Sequence, residues 1–134
     1  MKSKELPTNP KKALGDKKIN LFLLPPVALM HMAHAHMDGD IKYGPYKFRE
    51  TKIEASTYIA ACLRHIELWA DGEEKAPDSL VHHLGHAMAC LGMLLDAQAY
   101  GNLIDDRAKS GVLGAVVTEI LAAIKERLKN DQRV

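Results

Sequence analysis

Residues 59–72 read Ile-Ala-Ala-Cys-Leu-Arg-His-Ile-Glu-Leu-Trp-Ala-Asp-Gly, and this stretch decides the fold class. Apolar side chains recur at Ile59, Cys62, Leu63, Ile66, Trp69 and Ala70, which is the 3.6-residue period of an amphipathic helix. Gly72 is the natural stop, because glycine accepts the left-handed conformation that ends many helices. Read backwards, the pattern predicts a helix from about Phe48 to Ala70. Read forwards, residues 73–77 are a connector, and Asp78 or Ser79 is the expected N-cap of a further helix. That helix carries the stripe Leu80, Leu84, Met88, Leu91 and Leu95 and stops at Gly101-Asn102.

The flanks follow the same grammar. Pro25-Pro26 suits the first turn of a helix running to about Asp38, with Gly39 ending it. Tyr43-Gly44-Pro45-Tyr46 reads as a turn. After Ser110, one row of Val112, Val116, Ile120, Ile124 and Leu128 lies beside another of Leu113, Val117 and Leu121. Two adjacent rows make a broad apolar face, wider than a lone small bundle needs, which points to subunit packing. No stretch alternates as a strand does. The expected fold is all-α: a four-helix bundle over residues 15–134, preceded by a flexible lysine-rich arm, 1–14.

Composition removes several classes of function. The chain has 134 residues, and Lys plus Arg number 18 against 17 acids, for a formal charge of +1. That balance creates no field to recruit nucleic acid or an anionic membrane. The apolar stretch Leu21–Met30 is too short to span a bilayer and contains two prolines, and no secretory signal pattern is present. A cytoplasmic protein is expected. Cys62 and Cys90 sit inside apolar helical patterns and read as buried free thiols, and the Ala- and Met-rich stripes read as core.

Histidine is the unusual residue: there are seven, three of them at His31, His34 and His36 and three at His82, His83 and His86. At about 100° per residue, His65 shares a shoulder of its helix with Tyr58 and Glu54, while Ser79, His83, His86 and Cys90 share a flank of the next. Two antiparallel helices on a short connector bring such flanks together, with Glu73 and Asp78 at the same end. Imidazoles beside carboxylates suit a divalent metal or a phosphate-handling site. The competing reading is that these histidines are ordinary surface or boundary residues. The zinc-protease pattern is absent, since position 83 holds His where it needs Glu.

An ordered set of short motifs resembles the phage dATP/dGTP diphosphohydrolases of MazZ type. The set is Gly15-Asp16-Lys17, Leu23-Leu24-Pro25-Pro26, Tyr43-Gly44, Phe48-Arg49, Arg64-His65, Trp69, Gly72-Glu73, Pro77-Asp78-Ser79 and His83-Leu84-Gly85-His86-Ala87. The resemblance implies the all-α fold of the MazG-like pyrophosphohydrolases and a dimer or tetramer. It also implies cleavage of a nucleoside triphosphate between the α and β phosphates, with Mg²⁺ or Mn²⁺, two or more ions per site. In that branch dATP is removed as dAMP, and dGTP becomes dGMP for synthesis of a 2-aminoadenine nucleotide. The wider family's Glu-x-x-Glu and Glu-x-x-Asp ligand motifs do not occur in this chain; His83-x-x-His86 stands about where the second would be, and His65 and Glu67 stand near the first.

Residues and resemblance together give these expectations. Glu54, Glu73 and Asp78 are candidate catalytic carboxylates. Glu54, His65, Glu73, Asp78, His83 and His86 are candidate metal ligands, with Asp38, Glu50 and Glu67 in reserve. Lys18, Arg49, Arg64, Trp69 and Ser79 are candidate contacts to substrate, although core packing is the plainer role for Trp69. The expected partners are purine deoxynucleoside triphosphates and further copies of the chain, with neither nucleic acid nor membrane. The alternative is a non-enzymatic helical phage module that binds a host protein.

Overall fold

A computed structural model describes residues 3–131. A short helix, α1 (Lys11–Gly15), and a 3-10 turn (Leu21–Leu23) lie in an exposed N-terminal stretch. Then come α2 (Pro26–Tyr43), α3 (Lys47–Glu50), β1 (Ile53–Glu54), α4 (Ala55–Ala70), α5 (His83–Tyr100), β2 (Leu103–Ile104) and α6 (Leu113–Asp131). The all-α class holds, with corrections to the parts.

Pro26 opens α2 as its first residue, but Gly39 does not end it; the helix runs on to Tyr43 and stops at Gly44. The expected helix from Phe48 is split. Only α3 forms there, and the chain then extends so that Ile53 and Glu54 pair in parallel with Leu103 and Ile104. This two-residue sheet is the strand that local pattern did not reveal, because its partner lies on the far side of α5. Asp106, just past β2, accepts hydrogen bonds from the backbone N–H and the hydroxyl of Ser56, and so closes the first turn of α4.

Gly72 does stop the second long helix. Its φ is +105°, its N–H donates to the Trp69 carbonyl at 3.0 Å, and the Glu73 N–H donates to the Leu68 carbonyl at 3.0 Å. That paired arrangement satisfies two orphan carbonyls and aims the chain back across the helix end. The connector is a tight hairpin. Lys75 and His82 form an antiparallel bridge, the Ala76 N–H donates to the Val81 carbonyl, and the His83 N–H donates to the Glu74 carbonyl. The N-cap of α5 is therefore His82, whose Nδ1 accepts from the Leu84 N–H at 3.0 Å, and not Asp78 or Ser79.

Helix α5 is central and packs on both α2 and α4. Its small residues let it do so. Ala35 of α2 clusters with Ala89 and Val81, while Ala87 and Cys90 meet Cys62 of α4. Burial raises the Cys90 thiol to a pKa of about 11, which suits an inert core thiol. The core is thus made mainly of small side chains, and many large ones face outward. Met30 and Met37 are exposed, and so is Trp69, whose indole N–H donates to Glu74. No described residue of α6 is buried, so the fourth helix adds nothing to the core that the other three long helices share.

Candidate active site

A cavity of about 1030 Å³ opens between α2, α3, α4 and α5. Its walls are apolar in part, with Met32, Ala35, Phe48, Tyr58 and Met93, and its polar groups include Asp38, Lys42, Arg49, His65, Asp78, His86 and Asp96. This mixture suits an organic ligand held by a few placed polar groups.

The three histidines of α4 and α5 do converge. His65 Nδ1 lies 2.9 Å from His83 Nδ1, and the ring of His65 stacks on that of His86 with centroids 4.6 Å apart. His83 is 1% exposed, and its Nε2 meets Glu73 Oε1 at 2.7 Å. His86 Nε2 meets the Ser79 hydroxyl at 2.8 Å. Burial lowers the pKa of both His65 and His86. For His65, the neighbouring His86, His83 and Arg64 add to the effect; for His86, Asp38 and Asp78 oppose it.

Asp78 stands at the cavity rim, 3.8 Å from Lys42, and hydrogen bonds from the backbone of Ser79 and of Asp78 itself hold its carboxyl below the usual range. Lys42 pairs more closely with Asp38, at 2.9 Å, and that bond raises its pKa. Arg49 binds Asp96 through two nitrogens, at 3.2 and 3.0 Å, with its guanidinium 4.6 Å from the centroid of the Tyr46 ring and 4.2 Å from that of Tyr100. The remaining candidates lie elsewhere. Glu54 accepts from Thr57 at the start of α4, Trp69 and Arg64 are exposed outside the cavity, and Lys18 is exposed in the N-terminal stretch.

The donor set does not fit a resident metal ion. Among the described residues, no three His, Cys, Asp or Glu side chains converge as ligands. The reason is in the hydrogen bonds. Both ring nitrogens of His83 are engaged by protein, Nε2 of His86 faces Ser79, and Asp38 holds Lys42. Sequence reasoning missed Lys42 and Asp96 altogether. A signal for the first was present, since Asp38 and Lys42 are four residues apart on a helix.

Residues 8–107 match the family described as dATP/dGTP diphosphohydrolase, N-terminal. The chain belongs to this family. The dATP/dGTP diphosphohydrolases are nucleoside triphosphate hydrolases, so the enzyme reading stands and the non-enzymatic module is set aside. No curated protein and no solved structure matches the chain. The matched stretch of this family member includes every cavity-lining residue and ends before α6. Among the described residues, no helix is long and apolar enough to cross a membrane.

Proposed function

We propose that the cavity binds a purine deoxynucleoside triphosphate and that water cleaves it to the monophosphate and pyrophosphate, giving dGMP from dGTP and dAMP from dATP. One observation carries the reading: the residues that line the cavity all fall inside the stretch that matches the diphosphohydrolase family. The chemistry of the walls agrees. Lys42 supplies a cation to phosphate oxygens beside His86 and Asp78, and the rings of Phe48 and Tyr46 offer flat faces to a base. A divalent ion, Mg²⁺ or Mn²⁺, is proposed to arrive with the triphosphate as its counter-ion and to neutralise phosphate charge. The motif resemblance extends the proposal to a phage setting, in which loss of dATP and supply of dGMP serve synthesis of a 2-aminoadenine nucleotide.

The test is product analysis after incubation with each of the four dNTPs and Mn²⁺ or Mg²⁺. Monophosphate and pyrophosphate from dGTP and dATP are expected. Release of no pyrophosphate from any of the four would overturn the reading.

We also propose that the working form is a homo-oligomer, a dimer or tetramer. The chain exposes 11499 Å². A compact monomer of its mass exposes about 7,000 Å². The excess exceeds what a standard interface buries, roughly 800 Å² per partner. Helix α6 and the residue before it contribute to it directly: Val112, Leu113, Val116, Val117, Ile120, Leu121, Ile124 and Leu128 are each at least 42% exposed.

A further inference from the structure

Three hydrogen-bonded groups run in a line from the connector to the cavity. Glu73 Oε1 meets His83 Nε2 at 2.7 Å, and His83 Nδ1 meets His65 Nδ1 at 2.9 Å. An ionised carboxylate only accepts, so with a single proton on His83 that proton sits on Nε2. Its Nδ1 is then bare and accepts from His65, whose proton must sit on Nδ1. The lone pair at the end of the line is on His65 Nε2. That atom has no protein hydrogen bond among the described residues, and His65 lines the cavity. Little freedom remains to scramble this order. His83 is 1% exposed and its backbone N–H is tied to Glu74, while Glu73 is set in place by the helix stop at Gly72.

We propose that Glu73 and His83 are positioning residues that lock His65 with its proton on Nδ1, so that Nε2 acts as the general base toward the attacking water. The proposal rests on the reading of the cavity as a triphosphate site, and it replaces metal ligation as the role of these three residues. The proton balance is simple. Water gives one proton to His65 Nε2 as its oxygen bonds to the α-phosphorus. The bond from that phosphorus to the α,β-bridging oxygen breaks, and pyrophosphate leaves with the electron pair. The charge gained by His65 is shared along the Nδ1–H bond toward His83 and, through it, toward Glu73. The proton on Nε2 then passes to pyrophosphate or solvent, which resets the line.

The groups facing His65 favour the neutral base before attack. Arg64 on its own helix and His83 and His86 from α5 oppose a positive charge there, Asp78 from the connector favours one, and burial opposes it. The stacking of His86 on His65 also covers one face of the ring.

The experiment pairs side-chain ¹⁵N NMR of the full-length protein with steady-state kinetics. In wild type, the His65 spectrum should show a protonated Nδ1 and a bare Nε2. Glu73→Ala should shift His65 and His83 toward the other tautomer and lower kcat at least tenfold, with KM changed much less. Glu73→Gln keeps the shape and an acceptor oxygen but loses the charge, and should fall between the two. His65→Gln should lower kcat by roughly 100-fold or more. A wild-type His65 protonated on Nε2, or a Glu73→Ala variant with unchanged tautomers and kcat, would overturn the proposal. A wild type that shows the expected tautomer but cleaves no dNTP overturns the base role through the nucleotide reading itself, so the two failures are told apart. Circular dichroism of each variant separates a lost relay from a lost fold.

Discussion

Gly85 of α5 lies against the main chain of His31 in α2: a Cβ built on it would stand 2.6 Å from the His31 carbonyl oxygen. Backbone cannot swing aside as the end of a side chain does, so the two helices meet here at a distance that only glycine allows. Seven residues on, a Cβ on Gly92 would stand 2.5 Å from the Met32 terminal methyl, which is free to move. The first contact therefore fixes the spacing of α2 and α5, and with it the cavity wall that carries Asp38 and Lys42. Gly85→Ala should destabilise the protein by about 1–3 kcal/mol, read from urea unfolding. Gly92→Ala should cost less, and the reverse order would show that the close approach is not what sets the wall.

Arg49 is held by Asp96 and sandwiched between two tyrosines, which suits a planar guanidinium and not an ammonium. Arg49→Lys should raise KM for dGTP by up to about tenfold, with a smaller change in kcat. Equal falls in kcat and kcat/KM would place Arg49 at the reacting phosphate instead of at the cavity wall.

Activity should fall on the acid side. His65 and His86 have pKa values below the ordinary histidine value of about 6.5, chiefly through burial. Around them stand Arg64, His83, Lys42, Asp38 and Asp78. Between the unfolded value and the lower folded ones, the unfolded chain binds more protons. Stability therefore rises with pH across that window and is lost as pH falls through it. The same protonation removes the base. A plot of kcat/KM against pH should show an acid limb below the ordinary histidine value, and His86→Gln should shift that limb upward by removing a neighbouring imidazole. An acid limb that survives in His65→Gln would assign it to another group.

Helix α6 should control assembly without controlling the cavity. Ile120→Lys with Ile124→Lys places two charges on its exposed apolar face and should lower the mass seen by light scattering. The α2–α4–α5 core should keep its helical circular dichroism. If wild type and variant have the same mass, α6 is not the interface.

The long helices were legible because each writes its own period locally. Ile59 to Ala70 needs nothing beyond itself, and Gly72 ends it as a glycine in that place should. The meeting of His65, His83 and His86 was also legible, since a helical wheel and a short connector suffice to bring two flanks together. What a wheel cannot supply is the partner on the second nitrogen. That is why His83 looked like a ligand in the sequence and is a saturated, buried group in the fold. The break at residues 51–54 was hidden for a similar reason. Two residues of strand have no period, and their partners at Leu103 and Ile104 are set by tertiary contact. Arg49 with Asp96 joins residues 47 apart, and nothing near either one announces the other.

A chain that keeps alanines inside and leaves Leu63, Ile66, Leu91 and Leu95 outside cannot draw much stability from its own interior. In the proposed homo-oligomer these large side chains leave water only when a second copy arrives, so that assembly adds to the stability of the fold. The thermal midpoint should then climb with protein concentration, and strong dilution should loosen the fold before it slows the chemistry of any intact molecule.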